Sequence, residues 1–159
     1  MANSFLKSFK KAFNNYLDEY AIEIQKQVVK NINDGKDFER KPFKKLSKAT
    51  KDDRERRGYG RNKPILIRTG GLRDSITTKA NKSTKSVELS SSKSYADNLN
   101  DGDHNQGYPM SPRKFFECPK SLTPGSSRDK AILNRHFDIL EDEIFNNINA
   151  RLKEKGIMI

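Results

Sequence analysis

The sequence predicts an α+β fold: long N-terminal and C-terminal helices packed on a small antiparallel β-sheet. Three observations predict it. Apolar residues recur at threes and fours from Phe5 to Ile32, and again from Ile132 to Leu152. Between these stripes, Val87 and Leu89 alternate with Ser86, Glu88 and Ser90. The first spacing draws one face of a helix and the second one face of a strand. The 159 residues fit a single domain, residues 1–159.

The first helix spans residues 4–32. Phe5, Phe9, Phe13, Leu17, Tyr20, Ile24, Val28 and Ile32 make its stripe, and Lys10, Lys11, Asp18, Glu19, Glu23 and Lys26 lie between them. "NDG" at 33–35 ends it, because Gly35 can adopt the left-handed backbone that closes helices. At 1.5 Å per residue such a helix is roughly 43 Å long, so part of it should pack on another chain.

Residues 36–63 are the most basic segment, "KDFERKPFKKLSKATKDDRERRGYGRNK", anchored by Phe38, Phe43 and Leu46. Residues 47–62 have no usable period and read as a loop with one helical turn. Residues 64–68 read as a short strand or an extended lead-in. Thr69 then caps one helical turn carrying Leu72 and Ile76. "SITTKANKSTKSVELSSSKSYA" reads as two strands around the turn "ANKST", and residues 98–112 as a loop rich in Asn, Asp, Gly and Pro. The sheet core is thus expected over 64–120.

The last helix spans 126–155. Ser126 and Asp129 form its cap and acidic first turn. Ile132, Leu133, Phe137, Leu140, Ile144, Ile148 and Leu152 make its stripe, Lys153 and Lys155 lie in the last turn, and Gly156 closes it. His136, beside Phe137, reads as a surface or boundary residue.

Composition narrows the function. Mean hydropathy is -0.94 and the apolar fraction 33%, low for a globular chain. Either much of the chain is exposed, or its folded form leans on neighbouring subunits for burial. The net charge of +11 and the pI near 9.7 suit a polyanionic partner, or a surface that is simply solvated by lysine. Cys118 is the only cysteine, which excludes an intrachain disulfide and argues against cysteine-ligated zinc. It suits a reducing place of synthesis, the cytoplasm of a cell. "MANSFLKSFKKAFNNYL" lacks the continuous apolar core of a secretory signal, and no stretch approaches a membrane span. Asp18, Glu19 and Glu23 on the polar face of the first helix would repel anionic lipid.

Few residues suggest reaction chemistry. Asp101, Asp103 and His104 in "NDGDHNQG" could in principle hold a divalent cation, but their spacing is not that of a calcium loop, and a solvated turn is the expected reading. Two histidines are too few for most acid–base schemes. There is no nucleophile elbow, and Gly70-Gly71 lacks the lysine of a phosphate loop. Asp52 and Asp53 read as charge balance among Lys and Arg. The expectation is a protein that is not an enzyme and has no cofactor or bound metal. The basic segment is the better lead: Lys44, Lys45, Lys48, Lys51, Arg54, Arg56, Arg57 and Arg61 could face phosphates or an acidic partner. Only Tyr59 is interleaved, and no helix-turn-helix or zinc finger occurs, so any DNA contact would be sequence-independent and salt-sensitive.

Four motifs occur in a telling order: "KPFKKLSKAT", "KPILIRTGGLRDSI", "SVELSSSKSYADNLNDG" and "SPRKFF". In this the chain resembles the phage virion-morphogenesis or tail-completion proteins, the family represented by the G protein of phage Mu. The matching positions are Leu46, Ser47 and Thr50; the corner Thr69, Gly70, Leu72, Ser75 and Ile76; Tyr95, Ala96 and Gly102; and Arg113, Phe115 and Phe116. The likeness covers about residues 40–120. It departs from the family pattern after Tyr95 and at Lys114, where a proline is usual.

The resemblance implies a non-enzymatic virion protein of the tail or neck, made in the bacterial host cytoplasm. It implies a homo-oligomeric ring, hexameric if matched to the tail tube, with tail-tube and neck proteins as partners; the basic loop could line a lumen crossed by packaged DNA, touching it non-specifically, or meet an acidic neighbour. The corner would be architecture: Gly70 and Gly71 permit the reversal while Leu72 and Ile76 anchor it. The Tyr95 and Arg113–Phe116 segments would pack under the sheet or reach the next subunit, with packing the expected reading for Phe115 or Phe116. The alternative is a sequence-independent DNA-binding protein of a mobile element.

Overall fold

The long apolar stripes fold as helices, and the first of them organises everything else. A computed structural model describes residues 2–67, 69–102 and 112–154. Helix α1 runs Ala2–Asp34, α2 Lys48–Arg56 and α3 Gly71–Asp74; strands β1 Ile76–Asn81 and β2 Ser86–Ser91 follow; then α4 Ala96–Asp101, a 3-10 turn Lys120–Leu122 and α5 Ser127–Glu154. The predicted architecture holds: long terminal helices and a small antiparallel sheet.

Helix α1 stops where expected, with Gly35 at φ +69° and the Lys36 N–H donating to Asn31 O at 2.8 Å. It packs against the sheet and against α5. Two bonds tie β1 to it. Thr78 Oγ1 donates to Ala21 O at 2.8 Å, and Gln25 Nε2 donates to Ile76 O at 2.8 Å. The strands pair in the register Ile76↔Ser91, Thr78↔Leu89 and Ala80↔Val87. Val87 and Leu89 turn towards the core and their neighbours outward, as the alternation predicts. Asn81 Oδ1 accepts the N–H groups of Ser83 and Thr84 to close the hairpin.

Helix α5 returns antiparallel to α1, as its charge pairs show. Arg128 meets Glu23, Arg135 and His136 meet Glu19, and Lys11 meets Glu143. Ser126 caps α5 as predicted, its Oγ accepting the Asp129 N–H at 3.2 Å. The core lies at one end of this pair. Tyr20, Ile24, Val28 and Ile32 of α1 pack there with Phe43, Leu66, Leu72, Ile76, Ala96, Phe115, Leu122 and Ile132.

Three expectations need correction. Residues 47–62 contain a nine-residue helix, α2, rather than a loop with one turn. No apolar period announces it; Ser47 Oγ caps it by accepting the Thr50 N–H at 3.1 Å, and Asp53 pairs along it with Arg56 and Arg57. Residues 64–67 curl instead of extending, with the Ile67 N–H donating to Pro64 O at 2.9 Å. Residues 98–101, expected as the start of a loop, belong to α4, and Gly102 closes that helix; the expected loop at 103–111 lies outside the described residues. The end of α5 predicted at Lys155 and Gly156 lies outside the described residues.

Candidate interaction surfaces

Three surfaces are built on this frame. The first is the end of the α1–α5 pair that projects beyond the core. Both stripes divide in the same way. In α1, Leu17 to Ile32 are buried while Phe5 is 51% exposed and Phe9 40%. In α5, Ile132 and Leu140 are buried while Ile148 is 51% exposed. Leu6 and Phe145 add further open apolar surface at 60% and 64%. Phe9 meets the Phe137 ring edge-on at 5.5 Å, so the two helices still touch here, but little covers them outside. A cavity of about 180 Å³ between Phe5, Ile144 and Ile148, and another of about 500 Å³ beside Leu6, Phe9 and Phe13, flank this end.

The second surface is the basic segment, and the structure separates its eight candidates. Arg54 is buried: its guanidinium donates to the carbonyls of Lys63, Pro64 and Ile65. It cannot face a phosphate, which corrects its placement among the outward-facing cations. It also explains the curl at 64–67, since three successive carbonyls can converge on one cation only if the backbone turns. Arg56 and Arg57 are engaged by Asp53, and Arg61 by Asp52 and Glu55. The Arg56 bond, then that of Arg57, holds the Asp53 carboxyl below its usual value. Lys44, Lys45 and Lys48 are exposed, Lys51 half-buried, and none has a carboxylate partner among the described residues.

The third surface is the corner. Gly70, at φ +84°, makes the reversal; Gly71 does not need a positive φ. Thr69 Oγ1 accepts the Gly71 N–H at a long 3.4 Å, so its capping role is slight. Leu72 and Ile76 are buried. Ser75 is buried too, donating to Leu72 O at 2.7 Å and lying 2.6 Å from Ser91 Oγ, which ties the corner to the end of β2. Tyr95 is exposed, Ala96 buried, and Gly102 takes φ +82° at the end of α4. Phe115 is fully buried and Phe116 half-buried against it, ring centres 4.6 Å apart.

Between the corner, α2 and α4 lies a cleft of about 720 Å³, lined among others by Arg54, Tyr59, Leu72, Tyr95, Leu99 and Arg113. It brings together residues from the basic segment, the corner, the Tyr95 motif and the Arg113 motif. Burial, then the neighbouring Arg54 charge, pushes the Arg113 guanidinium below its ordinary value. Sequence reasoning missed Asn100, which holds the Arg113–Phe116 segment in place. This buried side chain accepts the N–H groups of Phe115 and Phe116 at 2.8 and 2.9 Å. A lone Asn in a polar loop carries no signal of that role.

Of the suggested cation loop, Asp103 and His104 lie outside the described residues. Asp101 accepts from Lys114 Nζ at 3.0 Å. Among the described residues no cluster of three His, Cys, Asp or Glu could hold a metal, and no helix is long and apolar enough to cross a membrane. His136 is half-buried, 2.8 Å from Glu19 Oε2.

No protein-family model matches the chain, and no curated protein or solved structure matches it.

Proposed function

We propose that this protein is a non-enzymatic structural subunit that works by assembling with copies of itself, as a tail-completion or head–tail joining component of a phage or prophage. The observation that carries the self-assembly reading is the open end of the α1–α5 pair. Phe5, Leu6, Phe145 and Ile148 are each more than half exposed on one end of the molecule. Large apolar side chains left open together at one end favour association, because covering them releases ordered water. Since both helices carry it, a ring in which each copy presents this end to its neighbour would complete the burial. The phage assignment rests on the resemblance of the corner, the Tyr95–Ala96 pair and the Arg113–Phe116 segment to the tail-completion family.

Light scattering coupled to size exclusion at moderate salt tests the reading. The protein is expected to run as a discrete oligomer, and Phe5→Ser with Phe145→Ser to convert it to a monomer of unchanged helix content. A wild-type monomer at every concentration would overturn it.

A second reading, sequence-independent DNA binding, is favoured by Lys44, Lys45 and Lys48, which are exposed without carboxylate partners among the described residues. Retardation of random duplex DNA at about 200 mM salt, abolished when these three become Glu, would support it over the first.

A further inference from the structure

The cleft between the corner, α2 and α4 contains an electrostatic imbalance. Arg113 Nε is fully buried and has no hydrogen-bond partner among the described residues. No described carboxylate pairs with this guanidinium, and the neighbouring charge that acts on it, after burial, is another cation, Arg54. Arg54 is committed to three backbone carbonyls and acts as a fixed positive charge. Asp53, the acid in the cleft wall, is already taken by Arg56 and Arg57. Arg113 as a whole is half-buried, and a partly desolvated cation beside a like charge is costly unless an anion completes the site.

We infer that this cleft is a docking site for an acidic peptide segment of a partner protein, with a carboxylate on Arg113 and a neighbouring apolar side chain against the cleft wall. Arginine suits the role because its planar fork can take a carboxylate through two parallel hydrogen bonds. The volume, about 720 Å³, is far larger than one carboxylate and falls in the range of peptide and ligand sites. Its wall includes Leu46, Ile65, Leu72 and Leu99, so an acid flanked by leucine fits better than a bare anion. The chain's charge of +11 favours an acidic partner at long range. The site is remote in composition from the exposed helix ends and does not depend on self-assembly.

The test uses the full chain labelled with 15N-arginine and a capped pentapeptide, Ala-Leu-Glu-Leu-Ala. A single side-chain Nε–H resonance, assigned through its loss in Arg113→Lys, is expected to shift saturably as peptide is added. The Gln version of the peptide is expected to bind at least about tenfold more weakly, since it lacks the charged acceptor. Arg113→Lys should lose the binding while keeping the wild-type circular dichroism and oligomeric size, which separates this site from the assembly surface. Arg113→Gln provides a second variant should the lysine disturb folding. Equal binding of the Gln peptide, equal shifts with sodium acetate, undiminished binding by both variants, or no saturable shift at all would each overturn the proposal.

Discussion

The Tyr16 hydroxyl donates to Asp129 Oδ1 at 2.6 Å, joining α1 to the first turn of α5 across 113 positions of sequence. The same carboxylate accepts the Gly125 N–H through Oδ2 at 2.7 Å. Asp129 is therefore both a helix-start acid and the latch between the two long helices. Asp129→Ala removes both bonds at a buried site and is expected to cost about 2–4 kcal/mol in a urea melt, against about 1 kcal/mol for Tyr16→Phe.

Next to this latch, burial and the Asp129 bond raise the Tyr16 pKa, and burial and the Cys118 thiol raise that of Tyr20, whose hydroxyl also donates to Leu122 O. Burial raises Cys118 as well. Groups whose acid form is favoured by folding contribute stability that is intact below their unfolded pKa and declines above it. The fold is therefore expected to lose stability as pH rises, first beyond the ordinary thiol range and then beyond about pH 10, the ordinary tyrosine value. Absorbance at about 295 nm should show Tyr16 and Tyr20 ionising only together with loss of helix circular dichroism. Smooth ionisation of all five tyrosines near pH 10 with the fold intact would contradict the packing.

The two glycines of the corner should respond differently. A Cβ on Gly70 would meet the φ of +84° and lie 3.1 Å from Arg73 Nη2 and Asp74 Oδ2. Gly70→Ala is expected to lose about 1–2 kcal/mol to the left-handed backbone. Gly71 carries no such φ, and its Cβ would make ordinary contacts with Thr69 Oγ1 at 3.4 Å, Lys93 Cε at 3.6 Å and the Tyr95 hydroxyl at 3.9 Å. Gly71→Ala should therefore change stability by less than about 1 kcal/mol. Chemical denaturation of both variants checks the order.

Asn100 supplies the third contrast. Asn100→Ala leaves the Phe115 and Phe116 N–H groups without their acceptor, and is expected to destabilise by about 2–4 kcal/mol. Asn100→Asp keeps an acceptor oxygen and should retain more stability. Hydrogen exchange at residues 115 and 116 would report the loss directly, rising in the alanine variant well before global unfolding.

Glu19 offers a check on the helix pair. It accepts from Arg135 and lies 2.8 Å from His136 Nε2, so one carboxylate serves two residues of the opposite helix. Glu19→Gln should weaken the antiparallel pairing modestly, by roughly 0.5–1.5 kcal/mol, because the arginine remains largely solvated. The effect should diminish as salt is raised.

The sequence by itself determined the two long helices, the β1–β2 hairpin and the caps at Gly35 and Ser126, because each is written in short-range spacing: the 3.6 and 2.0 periods and the residues that close them. It also determined that the chain is basic and poor in apolar residues. Only the tertiary structure decided which half of each stripe is covered, since a period records that a face is apolar and not what lies against it. Nor could charge counting separate Arg54 from Lys44. Both are cations in one basic segment, but three successive carbonyls that a turn at 63–65 folds back onto α2 draw Arg54 inside while Lys44 stays in water. The cleft with Arg113 at its wall arises in the same way, from segments distant in sequence whose contacts carry no local signature.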